Sequence, residues 1–436
     1  MGKQLGQSEM VQMIEQSLEK VPEHRRGSNT QYEIKDAGLA AFSVFFMQSP
    51  SFLAHQKDMQ RQKGKNNAKS LFGVGEIPTS GQIRKLLDPV DPVGLAEPFW
   101  QVLDRLRAGG QLAGYRGVGN TWLISLDGSQ YFSSRKICCD NCRVTVRDER
   151  AYYSHLVMAA VLCAPGKKQV ICLPPEFITP QDGHEKQDCE QQAIKRWVVR
   201  HAERFADGSV TVLADDLHCH QPTCALLLEH NLHFVLTCKE DSHPGLYEEL
   251  ALLEKVEGGI QTQVVRHWNG RQRERWVYRW AEQLPLRKGA SPLRVNWCQL
   301  IVVDETSGEV LYRNAWATDH SLDEATVVQV AAAGRGRWKI ENEGFNVLKN
   351  RGYNFSHNFG HGKQQLAAVL LTLLLLAFLF HSVLDLTSSI YRAVRQELAT
   401  RRTFFNDLRA LTRYIYFSNW QQLLQFMYQQ LDLAPG

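Results

Sequence analysis

Apolar and polar positions change rhythm three times along the chain. Up to about residue 115 the spacing is helical. Residues 1–35 are polar and charged and read as a helix with a loose lead-in. Residues 40–53 are mostly apolar until Pro50 breaks them, and the stretches 82–87 and 98–106 repeat apolar positions at three- and four-residue intervals. From Val118 short apolar runs bounded by turn residues take over. Residues 120–126 predict a strand that ends at Asp127-Gly128. Residues 153–163 and 168–173 predict two more, and residues 210–214 a buried one that stops at Asp215-Asp216. Helical spacing over 185–205 and 222–231 separates these from a further strand at 233–237. Strands alternating with helices in this way make an α/β pattern.

Residues 258–318 alternate differently. The stretches 261–268, 274–280, 293–304 and 310–316 predict antiparallel strands, with Asn269-Gly270 and Ser307-Gly308 as turns. Helix returns near Asp323 and dominates to the end. One run, 366–380, is apolar apart from Thr372. Its 15 residues fall short of the roughly 20 that a membrane span needs. With Lys363 before it and His381 after it, the run predicts a buried core helix.

Composition narrows the class. A length of 436 residues suits about two or three domains. With 44% hydrophobic and 10% aromatic residues the chain can bury a sizeable core, which excludes wholesale disorder. Lys+Arg 50 against Asp+Glu 46 leaves a net charge of +4, too balanced for a uniformly basic coat, so any nucleic-acid contact must be local. Ten cysteines and an opening MGKQLGQSEM without an apolar signal segment point to a reducing cytoplasm and no disulfide framework.

The chemistry begins with three acids. Asp127 and Asp215 stand at predicted strand ends, where residues of an α/β sheet converge on a ligand edge. Glu341 lies on a later helix, four residues after Arg337 and eight before Lys349, so that 337, 341, 345 and 348/349 share a face. Three carboxylates suit two hard divalent cations and a phosphodiester. Alone, a strand-end Asp is more often an ordinary turn former, and Glu341 with Arg337 makes an ordinary helix ion pair.

Three segments make the pattern recognisable: Leu126-Asp127-Gly128, then Val212-Leu213-Ala214-Asp215-Asp216-Leu217-His218, then Gly336-Arg337-Trp338-Lys339-Ile340-Glu341-Asn342. Over about residues 118–380 the chain resembles the DDE transposases of bacterial insertion sequences, in the subgroup typified by insertion sequence 4. Arg337 and Glu341 match the arginine–glutamate spacing of that subgroup's tyrosine–arginine–glutamate–lysine signature. Gly334 stands where its tyrosine would fall, and Leu348 where its lysine would, with Lys349 next. Asp216 remains an alternative to Asp215, and Glu343 to Glu341.

The resemblance implies an α/β fold with a ribonuclease-H-like core, a β-rich insertion, and helical N- and C-terminal regions. The boundaries are 1–115 for the N-terminal region with DNA-end binding, 116–257 for the first part of the core, 258–318 for the insertion, 319–385 for the rest of the core with the glutamate helix, and 386–436 for C-terminal dimer or DNA contacts. It implies a bacterial, nucleoid-associated transposase in which Asp127, Asp215 and Glu341 are catalytic and bind two Mg²⁺ ions, with Mn²⁺ as a substitute. Arg337, Lys349, Lys339 and Trp338 become candidate DNA contacts. The partners are double-stranded DNA, as element ends and as target, and a second copy of the chain in a homodimer on DNA. The rival readings are a DNA-binding relic without cleavage and another two-metal nuclease on the same core.

Other features fit less tightly. Cys139-x-x-Cys142 has the spacing of half a zinc site, but a second pair is needed among His155, Cys163, His218, Cys219, His220 and Cys224, and ordinary cysteines in a hairpin are the preferred reading. His357 and His361 lie in a Gly/Asn-rich segment that reads as a loop near DNA or the active site. Residues 57–69 hold five positive charges against one negative, and residues 335–363 six against two, the latter interleaved with aromatics as in nucleic-acid grooves. Trp268, Trp276, Trp280, Trp297 and Trp316 concentrate in the insertion, either as sheet packing or as a wedge for a flipped base. Arg392, Arg395, Arg401, Arg402, Arg409 and Arg413 make the C-terminal region basic.

Overall fold

The structure is a computed structural model and describes residues 5–25, 31–60, 66–180 and 189–433. Ten strands among these residues form one mixed sheet: β1 (Trp122–Ser134), β2 (Arg143–Arg147), β3 (Arg150–Cys163), β4 (Ile171–Ile178), β5 (Val210–Ala214), β6 (His233–Thr237), β7 (Gln261–Trp268), β8 (Arg273–Pro285), β9 (Arg294–Asp304) and β10 (Val310–Thr318). Their order across the sheet is β2-β3-β1-β5-β6-β10-β9-β8-β7, with β4 also paired to β3. β4, β3 and β1 pair antiparallel with one another, whereas β1, β5 and β6 pair parallel. The parallel strands are the continuous apolar runs. Every residue of β5 is buried, as a strand covered on both faces requires.

Six α-helices among the described residues precede the sheet: α1 (Gln7–Glu19), α2 (Ile34–Phe46), α3 (Phe52–Met59), α4 (Asn67–Phe72), α5 (Ser80–Leu87) and α6 (Glu97–Ala108). Within it lie α7 (Glu190–His201) between β4 and β5, α8 (Gln221–Glu229) as the β5-to-β6 crossover, and α9 (Pro244–Leu253). Six more follow: α10 (Thr326–Gly336), α11 (Asn346–Asn350), α12 (Leu366–Thr387), α13 (Ser389–Glu397), α14 (Arg401–Tyr414) and α15 (Trp420–Gln430). Residues 185–188 of the expected 185–205 helix lie outside the described residues.

Two departures from the sequence pattern matter. β1 does not end at Asp127-Gly128. It continues to Ser134, because the 14-residue β3 pairs alongside it, Asp127 against Ala159 and Gly128 against Met158. Pairing overrides the local turn signal, so Asp127 sits inside a strand. The second is β2, which is exposed or half-exposed along its length and so carries no inward apolar face to betray it. The four strands of residues 261–318 are antiparallel, and β10 pairs with β6 at Trp316↔Thr237, so they extend the same sheet.

The apolar run near residue 370 becomes the 22-residue α12. By length and composition alone this helix could cross a membrane, but 94% of its apolar window is buried inside the fold. It packs on α2 and β4, with Phe380 edge-on to Phe42 at 5.3 Å. The first and last helical regions also meet. Arg413 of α14 binds Asp58 of α3 through both carboxylate oxygens, and Asn67 donates to the carbonyls of Thr412 and Ile415. Leu373→Ala, at a fully buried position of α12, is expected to lower unfolding free energy by about 2–5 kcal/mol in urea titrations. A loss under about 1 kcal/mol would show that α12 is not a core helix.

Candidate active site

The register of two parallel strands brings the first two acids level. Each β5 residue from 210 to 213 pairs with the β1 residue 88 positions earlier, from Trp122↔Val210 to Ser125↔Leu213. Asp127 and Asp215 are separated by the same 88 positions. Each lies two residues past the last pair, so both follow the same pleat on neighbouring strands. Asp215 caps the turn after β5, its carboxylate accepting the Leu217 amide at 3.1 Å.

The third acid arrives from a helix that β1 and β3 hold by its C-terminal end. The Ser125 hydroxyl donates to the Arg337 carbonyl at 3.2 Å, and the Cys163 thiol to the Gly336 carbonyl at 3.7 Å. The Arg337 carbonyl also accepts the Ile340 amide at 3.2 Å, so the turn is fixed from its own backbone and from the sheet. The chain then continues through a π-helical turn, Ile340–Phe345. Such turns re-aim side chains and recur at functional sites. Here it supplies Glu341.

Arg337 joins the acids. Its Nη1 lies 3.4 Å from Asp127 Oδ2 and 3.2 Å from Glu341 Oε1, and its guanidinium stacks over the Trp338 ring at 4.6 Å. The arginine side chain is only 9% exposed. One buried cation therefore serves two carboxylates, and more negative charge stands close by. Burial pushes the Asp127 carboxyl up to about 7; Arg337 opposes this, while Glu341, Asp215 and Glu190 add to it. Glu190, in the first turn of α7, is itself raised by burial and by Asp215. Its carboxylate fills the space where a Cβ on Gly128 would stand, 2.3 Å from that point.

The alternatives in each acidic pair separate by geometry. Asp216 is occupied by the loop after β6: it accepts the Lys239 amide at 2.7 Å and the Ser242 hydroxyl at 2.5 Å, with His243 Nε2 at 3.5 Å. Asp215 is 41% exposed and acts on Asp127 and Glu190. Glu343 lines a different groove with Trp276, Tyr278 and Arg335, whereas it is Glu341 that pairs with Arg337. The structure thus gathers Asp127, Asp215 and Glu341 and adds Glu190. Nothing in its spacing distinguishes Glu190 from other first-turn glutamates, so the sequence reading passed it over.

The candidate DNA contacts divide. Trp338 is 44% exposed. Lys339 turns away, donating to the Lys167 carbonyl at 2.5 Å. Lys349 packs its ammonium over Phe345 and lines a cavity of about 700 Å³ with Arg351, Arg401, Arg402 and Arg409. At position 334 a Cβ would meet the Trp316 indole at 2.3 Å, so that buried tryptophan excludes a side chain there. A second cleft, of about 740 Å³, opens beside Asp215 and is lined by Lys239, Arg287 and Lys288. Lys57 lies in the last turn of α3 and Lys69 in that of α4, but Arg61, Lys63 and Lys65 of that basic window lie outside the described residues. Trp280, Trp297 and Trp316 are buried in the sheet, whereas Trp268 is 60% exposed at the tip of the β7–β8 hairpin.

The raised Asp127 carboxyl has a signed consequence. Its folded-state value lies above the usual 3.8, so the stability tied to its neutral form is fully present below about 4 and is lost as pH rises through about 7. Asp127→Asn is expected to raise the thermal midpoint of the metal-free protein at about pH 8 and to change it far less at about pH 5. An equal effect at both pH values would show that the carboxyl is not strained by its neighbours. No known family model matches the chain and no curated protein matches it, so the geometry of this acidic site carries the functional reading.

Proposed function

We propose that the chain is a DDE-type DNA transposase, which binds the ends of an insertion sequence, cleaves them and transfers the freed strands to target DNA. The observation that carries this reading is the meeting of Asp127 and Glu341 on Arg337, with Asp215 near enough to act on Asp127, whose carboxyl burial and the neighbouring acids push up to about 7. The donor set is entirely oxygen, the preference of hard divalent cations, and its negative charge exceeds what one guanidinium offsets. Asp127, Asp215 and Glu341 would hold two Mg²⁺ ions, or Mn²⁺. Bound there, such ions activate an attacking oxygen and stabilise the leaving one.

The sheet supports a ribonuclease-H-like core. In the stretch β4-β3-β1-β5-β6 three antiparallel neighbours are followed by two parallel ones. Asp127 is on the first strand, and Asp215 follows the fourth once the short β2 is set aside. Glu341 comes after a late helix. The strands of 258–318 then form the β-rich insertion. Its β7–β8 hairpin presents the exposed Trp268 with Arg271, Arg273 and Arg275, a surface suited to a DNA end.

Water attacks a phosphodiester at an element end and releases a 3′-hydroxyl. That hydroxyl then attacks a target phosphodiester. Each step exchanges one phosphorus–oxygen bond for another, so no covalent enzyme intermediate is needed. Arg337 offsets the repulsion between Asp127 and Glu341 and keeps the two carboxylates facing one locus. Lys239, Arg287 and Lys288 beside Asp215, and the Lys349 cavity, supply phosphate contacts that set the register of the duplex. Pairing two ends uses two subunits, giving a homodimer on DNA in the bacterial cytoplasm.

The test is cleavage of a duplex carrying the sequences that flank the gene, with Mg²⁺, by the wild type and by Glu341→Gln. Nicking at the ends and joining to a second duplex are expected. The variant should lose more than about a hundredfold, beyond the 10–100-fold that outer-shell partners of a metal cost. Equal cleavage by both proteins would discard Glu341. Cleavage without joining would replace the transposase reading by a nuclease, and end binding without cleavage by a relic.

A further inference from the structure

Away from the acids, the fold assembles a second constellation from three distant parts of the chain. Cys139 and Cys142 lie in the connection between β1 and β2, His155 on β3, and His361 in the segment between α11 and α12. The Cys139 and Cys142 Sγ atoms are 3.9 Å apart. His155 Nε2 lies 3.5 Å from each, and His361 Nε2 lies 3.7 Å from Cys142 Sγ. One ligand atom from each of the four residues falls within 4.8 Å of all the others.

These separations are those of a tetrahedron around one metal ion. With Zn–S at about 2.3 Å and Zn–N at about 2.0–2.1 Å, tetrahedral angles place two sulfurs about 3.8 Å apart and sulfur from nitrogen about 3.5 Å. The sulfurs are too far apart for a disulfide, whose S–S bond is about 2.05 Å. Two soft thiols with two imidazoles select zinc over the magnesium or calcium that carboxylates favour.

The surroundings are built to hold the four in place. The Cys142 amide donates to the Cys139 carbonyl at 3.1 Å, folding Cys-x-x-Cys into a tight turn. Asn141, inside that turn, donates to the Gln364 carbonyl at 2.7 Å, which ties it to the strand of chain that carries His361. That strand is pinned in turn by Asp88, whose carboxylate accepts the amides of Lys363, Gln364 and Leu366. Tyr131 stacks on His155 at 5.6 Å, and Phe132 packs on His361 at 4.4 Å. Cys142, His155 and His361 are buried and Cys139 is half-buried, so no ligand position is left open to solvent for substrate.

We propose that Cys139, Cys142, His155 and His361 bind one structural Zn²⁺ ion, distinct from the acidic site. The ion fastens the far end of β1 to the segment that follows the Glu341 turn. Phe132 is five residues along β1 from Asp127, about 17 Å of strand, so the zinc takes no part in the chemistry of the acids. Its role is to close a loop of more than 200 residues between Cys142 and His361, a span over which a crosslink constrains the unfolded chain strongly.

The full chain, purified under reducing conditions without chelator, should carry about one equivalent of zinc. Replacement by Co²⁺ should give thiolate-to-cobalt charge-transfer absorption in the near ultraviolet and the visible bands of tetrahedral cobalt. Cys142→Ser should weaken zinc affinity at least about tenfold and diminish that absorption. Cys238→Ser, in the separate buried group Cys219, Cys238 and His243, should leave both unchanged. Should Cys142→Ser fail to fold, the wild type still decides. Chelation should lower its thermal midpoint and open Cys139 and Cys142 to alkylation, mapped by mass spectrometry, and added zinc should reverse both. A protein that neither carries nor takes up zinc would overturn the proposal. So would cobalt bound with an oxygen-ligand spectrum only, or zinc lost in Cys238→Ser and retained in Cys142→Ser. None of these readouts depends on DNA cleavage, so the zinc proposal and the transposase reading fail separately.

Discussion

Like charges held close together at the end of a parallel strand pair are the constraint on which the rest of this structure turns. Asp127 and Asp215 are level because β1 and β5 pair with an offset of 88 residues, and Glu341 and Glu190 are brought to the same locus from helices on their own paths. Burial and mutual repulsion make this arrangement costly, and one guanidinium at 3.2 and 3.4 Å relieves only part of it. Carboxylates crowded in this way persist only where the surrounding structure over-determines their positions.

That over-determination is visible in the packing. The α10 terminus is held by side chains of β1 and β3, and the π-helical turn that follows points Glu341 back toward β1. The bare face of Gly128 gives the Glu190 carboxylate its place, and a side chain there would displace it. Behind the sheet, α12 is buried along its apolar length, and the helical regions at the two ends of the chain close over it through Arg413–Asp58 and Asn67. A rigid support of this kind lets a strained acidic locus keep its geometry without help from the loops around it.

The basic surfaces follow a different logic. The overall charge of +4 is small, and the cations are concentrated rather than spread: Lys239, Arg287 and Lys288 beside Asp215, five cations in the Lys349 cavity, and the arginines of the β7–β8 hairpin. Local positive patches beside a negatively charged locus are the surface arrangement that attracts a polyanion where a uniform charge would not.

The sequence by itself determined the elements. The period-two runs at 261–268 and 310–316, the buried runs at 210–214 and 233–237, and the apolar stretch near residue 370 each form the element that their pattern predicts, because burial of one face is a local demand. It also singled out Asp127, Asp215 and Glu341 as candidates. Tertiary structure decided what spacing could not. Pairing with β3 carried β1 past its turn signal, the loop after β6 claimed Asp216, and Glu190 and Arg337 were set among the acids. His361 met Cys142 across 219 residues of chain. Each of these depends on which strands pair and where helices end, and contacts between residues so far apart in the chain leave no periodic trace in it.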